Sequence, residues 1–355
     1  MTKSVDIMLR KRSVIFVIIL SLAACSEKSY FDSLRKQKVS FTSREFVDSQ
    51  RERTLPTKIW YPADIEAAET PRTYDHGQRG YTAKNEPISA ERKRYPLILL
   101  SHGTGGSNAD LAWLAEILAS NGYIVAAPNH WNNTARNNLE SGIVRLWDRP
   151  KDLSLILDRL IGDQEWGQRI STQQIGAAGF SAGGFTVLGL AGAEYSIEAM
   201  RNYCNNNPTE RDCLLTKGFN WEEINTSDGH LSYKDDRIKA ALSMAPAVGR
   251  GVNARSLQSI SIPIVIASAR DDEWLPYEGN AKYYTHNITS ATSLVFEHGG
   301  HFLFMQECAL IRKIVVRLFI DDDICGDDST IDRHKLQHEA AGAAIALFGG
   351  VFNPS

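Results

Sequence analysis

Several features are absent from this 355-residue chain, and each absence removes a class of function. No stripe of lysine and arginine runs along it to neutralise a row of phosphates, so no nucleic-acid partner is expected. No C-x-x-C occurs, and the histidines keep no zinc-like spacing to the cysteines, so no metal site is expected. The aspartates at 321–323, 327 and 328 lack the glycine and glutamate of a calcium loop and read as a solvated turn. His334 and His338 stand four apart but lack an acidic partner pattern, and read as a surface helix face. There is no internal repeat and no long low-complexity segment, which leaves an ordinary globular domain. The formal net charge is −3, with apolar and charged fractions typical of such a domain.

What is present begins with a leader. Lys3 and Arg10-Lys11-Arg12 precede the apolar run Val14–Leu22, which is too short for a bilayer span of roughly 20 residues. The run ends in Leu22-Ala23-Ala24-Cys25, which resembles a bacterial lipobox. That resemblance implies a signal peptide over 1–24, lipid on Cys25, a polar tether over 25–38 and a membrane contact through the anchor. Ser26 follows the cysteine in place of an aspartate retention signal, which points to the outer membrane, facing the periplasm or the cell surface. Loss of the leader takes the mature chain to near −6. Four cysteines then remain: Cys204, Cys213, Cys308 and Cys325. An even set in an oxidising compartment suggests two disulfides, with three connectivities open. Pairing neighbours, Cys204 with Cys213 and Cys308 with Cys325, closes the shortest loops.

From residue 39 onward the chain reads as one α/β domain. Short β-like runs at 39–42 and 57–62 lead, and a polar surface loop spans 63–94. Apolar strands follow at 96–101, 123–128, 174–178, 238–243, 262–267 and 293–296. Between them lie helices near 108–121, where Ser107 and Asp110 resemble a capping pair, and from Pro150. Another follows Gly184, and two amphipathic stretches at 304–319 and 332–348 close the chain. Residues 194–235 break the rhythm and read as an insertion or lid after the helix at 184–190. Alternating strands and helices argue for a mostly parallel sheet with helices on both faces.

The chemistry centres on Gly179-Phe180-Ser181-Ala182-Gly183. A G-x-S-x-G between strand and helix makes a tight turn that exposes the serine hydroxyl, so Ser181 is the candidate nucleophile. A serine hydroxyl needs a base, and the base needs an acid to fix its tautomer. Asp271 or Asp272 follows one apolar strand, and His298 or His301 follows the next, in the chain order serine, acid, histidine. The developing oxyanion needs pre-aimed N–H groups. Ala182 supplies one from the serine turn. Thr104 supplies the other from His102-Gly103-Thr104-Gly105-Gly106, where His102 reads as a support for the loop. Arg149-Pro150-Lys151-Asp152 reads as the start of a helix and is a candidate for shaping the site. Trp131 and Trp274 are candidates to line a pocket beside it.

Together these segments resemble an exported α/β-hydrolase of the dienelactone hydrolase-like and platelet-activating-factor acetylhydrolase-like group. The matching residues are Ser101–Gly106, Arg149–Asp152, Gly179–Gly184, Asp272 four residues before Pro276, His301-Phe302 with Phe304, and Ile324-Cys325-Gly326-Asp327 followed by Asp332-Arg333. They span about residues 95–340. The resemblance implies the α/β-hydrolase fold, Ser181 as nucleophile, Asp272 as acid, His301 as base and Thr104 as oxyanion donor. Strict dienelactone hydrolases use a cysteine nucleophile, and the serine here favours ester hydrolysis. The expected activity is therefore cofactor-free cleavage of small-molecule or lipid carboxylic esters with short acyl chains. An acetylhydrolase or phospholipase acting on envelope or exogenous lipids, a peptidase or amidase, and a non-catalytic surface binding module remain as alternatives. Oligomeric state is left open.

Overall fold

The computed structural model describes residues 31–64, 71–73, 79–308, 318, 324–325 and 330–353. The leader, Cys25, the acidic run at 321–323 with Asp327 and Asp328, and most of the stretch expected at 304–319 lie outside them. Within the expected tether, Phe31 is buried and stacks on Trp113, with ring centroids 6.3 Å apart.

Nine strands form the main sheet. They are β1 (Val39–Asp48), β2 (Arg53–Pro62), β3 (Ala83–Lys84), β4 (Tyr95–Ser101), β5 (Ile124–Pro128), β6 (Ile170–Phe180), β7 (Ile238–Met244), β8 (Ile264–Ala269) and β9 (Ala291–Phe296). Their order across the sheet is β9-β8-β7-β6-β4-β5-β2-β1-β3. The run from β5 to β9 is parallel throughout, whereas β2 pairs antiparallel with both β5 and β1. The buried pattern along β4 explains this arrangement. Each of its seven residues is buried, as a strand covered on both faces requires.

Successive residues of β4 feed opposite cores. Leu97 and Leu99 join a cluster with Leu153, Ile156, Leu157 and Leu160 of helix α2 (Asp148–Gly162) and Phe185 of helix α3 (Ala182–Ala191). Ile98 and Leu100 join the cluster formed with helix α1 (Ala112–Ser120) and with Ala340, Ala344 and Phe348 of the C-terminal helix at Arg333–Phe352. Burying each large aliphatic side chain contributes about 1.5–3 kcal/mol, so this two-sided layer fixes the strand register.

Some boundaries differ from the sequence reading. Helix α1 begins at Ala112 rather than 108, because Ser107 and Asp110 close a turn ahead of it, with Ser107 Oγ donating to Asp110 Oδ1 at 2.8 Å. Helix α2 begins at Asp148, two residues before Pro150, which sits in the first turn where its missing N–H costs nothing. The loop expected at 63–94 holds β3 and a small ribbon pairing Pro71–Thr73 with Arg79–Tyr81. The insertion at 194–235 contains two helices, α4 (Ile197–Asn206) and α5 (Arg211–Leu214), stapled by a Cys204–Cys213 disulfide. A second disulfide joins Cys308 to Cys325.

Candidate active site

The parallel strands reverse their winding between β4 and β6. Open α/β sheets bind ligands at such a switch point, beyond the C-terminal strand ends. Two loops emerge there side by side, since Gly179 of β6 is in register with Ser101 of β4. Ser181 takes φ 58° and ψ −118°, an uncommon backbone for a residue with a side chain. The turn is held from several sides. Ser181 N–H donates to Met244 O at 2.9 Å, and Ser181 O accepts from Ala247 N at 3.1 Å. A Cβ at Gly179 would strike the Gly183 backbone, and one at Gly183 would strike the carbonyl of Ser101, so both positions exclude a side chain.

His301 follows β9, in a short 3₁₀ turn over His301–Phe304. Its Nε2 lies 3.1 Å from Ser181 Oγ, and its Nδ1 lies 2.7 Å from Asp272 Oδ2. The other carboxylate oxygen of Asp272 accepts N–H groups from Trp274 at 2.9 Å and Leu275 at 2.7 Å. These partners assign the hydrogen to Nδ1 and leave Nε2 as the acceptor facing the hydroxyl. Phe180, Trp274 and Phe302 surround the imidazole, with ring centroids 4.8, 6.3 and 5.2 Å away. The rival pair is a separate unit. His298 Nδ1 meets Asp271 Oδ2 at 2.8 Å on the surface, and that contact raises the His298 pKa above its ordinary value.

The loop after β4 stands against the serine turn. The Cβ site of Gly103 is 3.2 Å from the Phe180 ring and 3.4 Å from Ser181 Cβ. Gly105 N–H donates to Asn133 Oδ1 at 3.2 Å and Gly106 N–H to Gly103 O at 3.2 Å, while Thr104 N–H has no partner among the described residues. Ala182 opens α3, where the first N–H groups have no intrahelical acceptor. Both free donors border the same cavity, of about 290 Å³. Its walls are largely apolar and include Val144, Tyr195, Val248, Leu275 and Met305. The insertion contributes Met200, Leu215 and Trp221. No lysine or arginine lines it among the described residues. Trp274 lines it as expected; Trp131 does not, being 41% exposed at a different depression, because its side chain faces out beyond the end of β5.

Sequence reading missed a buried polar network behind this loop. Ser101 Oγ lies 2.9 Å from His130 Nε2, and His130 Nδ1 lies 3.0 Å from Asp152 Oδ2. This repeats a serine–histidine–aspartate arrangement, but all three side chains are sealed from solvent, so no substrate reaches Ser101. Burial and the nearby Arg149 push His130 well below the ordinary histidine range and keep it neutral. Burial raises Asp152 to about 6, against the pull of Arg51 and Arg53. His102 Nε2 accepts the His130 N–H at 3.1 Å, which leaves Nδ1 to donate to Gly103 O at 2.7 Å. His102 therefore supports the loop. Arg149, 2% exposed, donates to His102 O at 2.8 Å, Gly103 O at 3.1 Å and Asn133 Oδ1 at 3.1 Å. Burial lowers its pKa to about 9, which still leaves a cation at neutral pH. The sequence signals for this network are His102, read as a support for the loop, and Arg149-Pro150-Lys151-Asp152; nothing marks His130. Among the described residues, no group of three or more histidine, cysteine, aspartate or glutamate side chains is placed to hold a metal ion.

Comparison with solved structures settles the fold. A ferulic acid esterase from Streptomyces cinnamoneus superposes with a TM-score of 0.58 at 20% identity, covering 90% of this chain and 92% of the other. This chain is an α/β-hydrolase by fold. The family model for platelet-activating factor acetylhydrolase, isoform II, matches residues 76–140 of this chain, which include the loop after β4. Cutinase 2 from Thermobifida cellulosilytica and cutinase cut1 from Thermobifida fusca are each 30% identical over 111 residues. That match covers 31% of this chain and 39% and 32% of the two cutinases. The chain therefore spans about a third of the length of the curated relatives it matches.

Proposed function

We propose that this α/β-hydrolase is an exported serine hydrolase of carboxylic esters. The observation that carries the reading is the continuous relay from Ser181 Oγ through His301 to Asp272, beside two backbone donors that have no partner among the described residues. In the proposed reaction His301 Nε2 takes the Ser181 proton as Oγ attacks the ester carbonyl. Asp272 stabilises the imidazolium that forms, and the N–H groups of Thr104 and Ala182 hold the oxyanion. The tetrahedral intermediate collapses as the imidazolium protonates the leaving alcohol. Water, deprotonated by His301, then attacks the acyl-serine, and a second collapse returns the proton to Ser181 and releases the carboxylic acid. These steps call for no cofactor.

The cavity's largely apolar walls, with no lysine or arginine among the described residues that line it, favour an uncharged ester with a short acyl or aryl group over a charged headgroup. The cutinase and ferulic acid esterase relatives support carboxylic ester chemistry. The acetylhydrolase family match favours a second reading, cleavage of a short acyl chain from a lipid at an envelope surface. Two disulfides fit an exported protein, and no described helix is long and apolar enough to cross a membrane. We further propose cleavage before Cys25 and attachment through lipid on that residue, with residues 39–355 as the catalytic domain and 194–235 as an insertion beside the site. Purified wild type and Ser181→Ala, assayed on p-nitrophenyl esters and acetylated phospholipids, test the reading. Ester turnover lost in Ser181→Ala supports it; turnover undiminished by that substitution overturns it.

A further inference from the structure

We propose that Arg149 is a positioning residue that aims the Thr104 N–H at the reacting carbonyl, an inference that rests on the hydrolase reading above. The argument starts from the geometry of one peptide unit. In a trans peptide the C=O and the next N–H point in opposite directions, and the chain contains no cis peptide bond among the described residues. Fixing the Gly103 carbonyl therefore fixes the direction of the Thr104 N–H.

Three donors converge on that carbonyl. Arg149 Nη2 donates to it at 3.1 Å, His102 Nδ1 at 2.7 Å and Gly106 N at 3.2 Å. The other arm of the same guanidinium, Nη1, donates to the preceding carbonyl, His102 O, at 2.8 Å. Consecutive carbonyls of an extended strand point to opposite sides. A single planar fork bonded to both holds the chain in a turn. Thr104 borders the 290 Å³ cavity, whereas Arg149 borders a separate depression behind the loop. The guanidinium thus lies on one side of the loop and the free N–H on the other.

The surroundings account for an arginine here. Its rigid fork spans two carbonyls and the Asn133 amide oxygen, which a single ammonium cannot do. Asn133 Oδ1 also accepts the Gly105 N–H at 3.2 Å, which removes the neighbouring donor from competition for the oxyanion. The sealed Ser101–His130–Asp152 chain fixes the other edge, because the backbone N–H of His130 sets the tautomer of His102. Burying a cation in this place is costly. The return is a donor already aimed before the substrate arrives, the condition under which an oxyanion site accelerates a reaction.

The test compares Arg149→Met with wild type on an oxoester and on the matching thionoester, whose sulfur accepts hydrogen bonds weakly. Loss of an aimed oxyanion donor lowers kcat by about 10²-fold on the oxoester. We expect that loss with KM changed by less than about threefold, and a much smaller loss on the thionoester. Equal losses on the two substrates, or no loss on the oxoester, would overturn the proposal. If Arg149→Met does not fold, as judged by circular dichroism, Arg149→Lys is read by the same two criteria. Added guanidinium ion at millimolar concentration should restore part of the oxoester rate in the variant and leave wild type unchanged. A wild type inert on both esters overturns the hydrolase reading itself and this inference with it; an active wild type with equal losses overturns the inference alone.

Discussion

The Arg211 guanidinium lies 4.4 Å from the Trp274 ring centroid, and that indole in turn stacks on His301 at 6.3 Å. The insertion therefore reaches the imidazole through a single side chain. Trp274 is both a cavity wall and the cover on one face of His301. Trp274→Ala should raise KM about tenfold, matching the roughly 1.4 kcal/mol of one lost aromatic contact. It should also widen the accepted acyl length. Steady-state kinetics on esters of two to eight carbons checks both, and an unchanged KM with unchanged chain-length preference would refute the role.

The Cys204–Cys213 disulfide closes a loop with a sequence separation of 9 between α4 and α5, the helix that carries Arg211. Such a loop is worth about 2–3 kcal/mol in the chain-entropy account. Because the staple lies within the insertion, its loss should loosen 194–235 more than the sheet. The double substitution Cys204→Ser and Cys213→Ser should speed proteolytic cleavage between α4 and β7 and raise KM, with kcat little changed. Limited proteolysis followed by mass spectrometry reads the first effect. Cleavage no faster than in wild type would show that packing alone holds the segment.

Two aspartate–histidine pairs stand near each other with opposite prospects. Asp272→Asn should cost about 10³–10⁴ in kcat, because the amide favours the wrong His301 tautomer. Asp271→Asn should leave kcat unchanged while lowering the titration midpoint of His298, measured by NMR. The sign follows from the raised folded pKa of His298. Any stability this pair adds is fully present below the unfolded value of 6.5 and is lost as pH rises through the folded one. Solvent screens the fully exposed pair, so the midpoint is the informative quantity. A kcat loss in Asp271→Asn equal to that in Asp272→Asn would reverse the assignment.

Much of this organisation was legible in the residues, and the reason is local. The glycines at 179 and 183 advertise a turn that no side chain tolerates, and apolar runs such as Leu97–Leu100 can only be two-sided strands. The order serine, aspartate, histidine, each past a strand end, then locates a meeting point. What escaped the sequence depends on contacts between distant segments. Arg149, His130 and Asp152 occupy a helix start and a loop, and no local pattern says that their side chains converge behind Gly103. Trp131 was misread for the same reason. An aromatic residue type alone says nothing about which way the side chain faces, and Trp131 is 41% exposed. The helix boundaries at Ala112 and Asp148 moved because a hydrogen-bonded turn and a proline-tolerant first turn precede the apolar stripe without breaking it.

The crowding between the two loops at the switch point gives a graded prediction. At Gly183 a new Cβ would collide with the Ser101 carbonyl, part of the β4 backbone, and come within 2.8 Å of the His102 carbonyl, which Arg149 holds in place. Neither can yield without displacing β4 or the serine turn. Gly183→Ala should therefore lose several kcal/mol of stability or fail to fold. At Gly103 the new Cβ meets the Phe180 ring at 3.2 Å and Ser181 Cβ at 3.4 Å, and a shift of a few tenths of an ångström relieves it. Gly103→Ala should fold, with a thermal midpoint within a few degrees of wild type. Its kcat should still fall about tenfold or more, because that shift moves Thr104 N–H relative to Ser181 Oγ, and small misplacements of aligned groups carry large rate costs. Thermal unfolding beside kcat for the two variants separates the effects. Equal stability losses in both would mean that the loop is less tightly held than its hydrogen bonds imply.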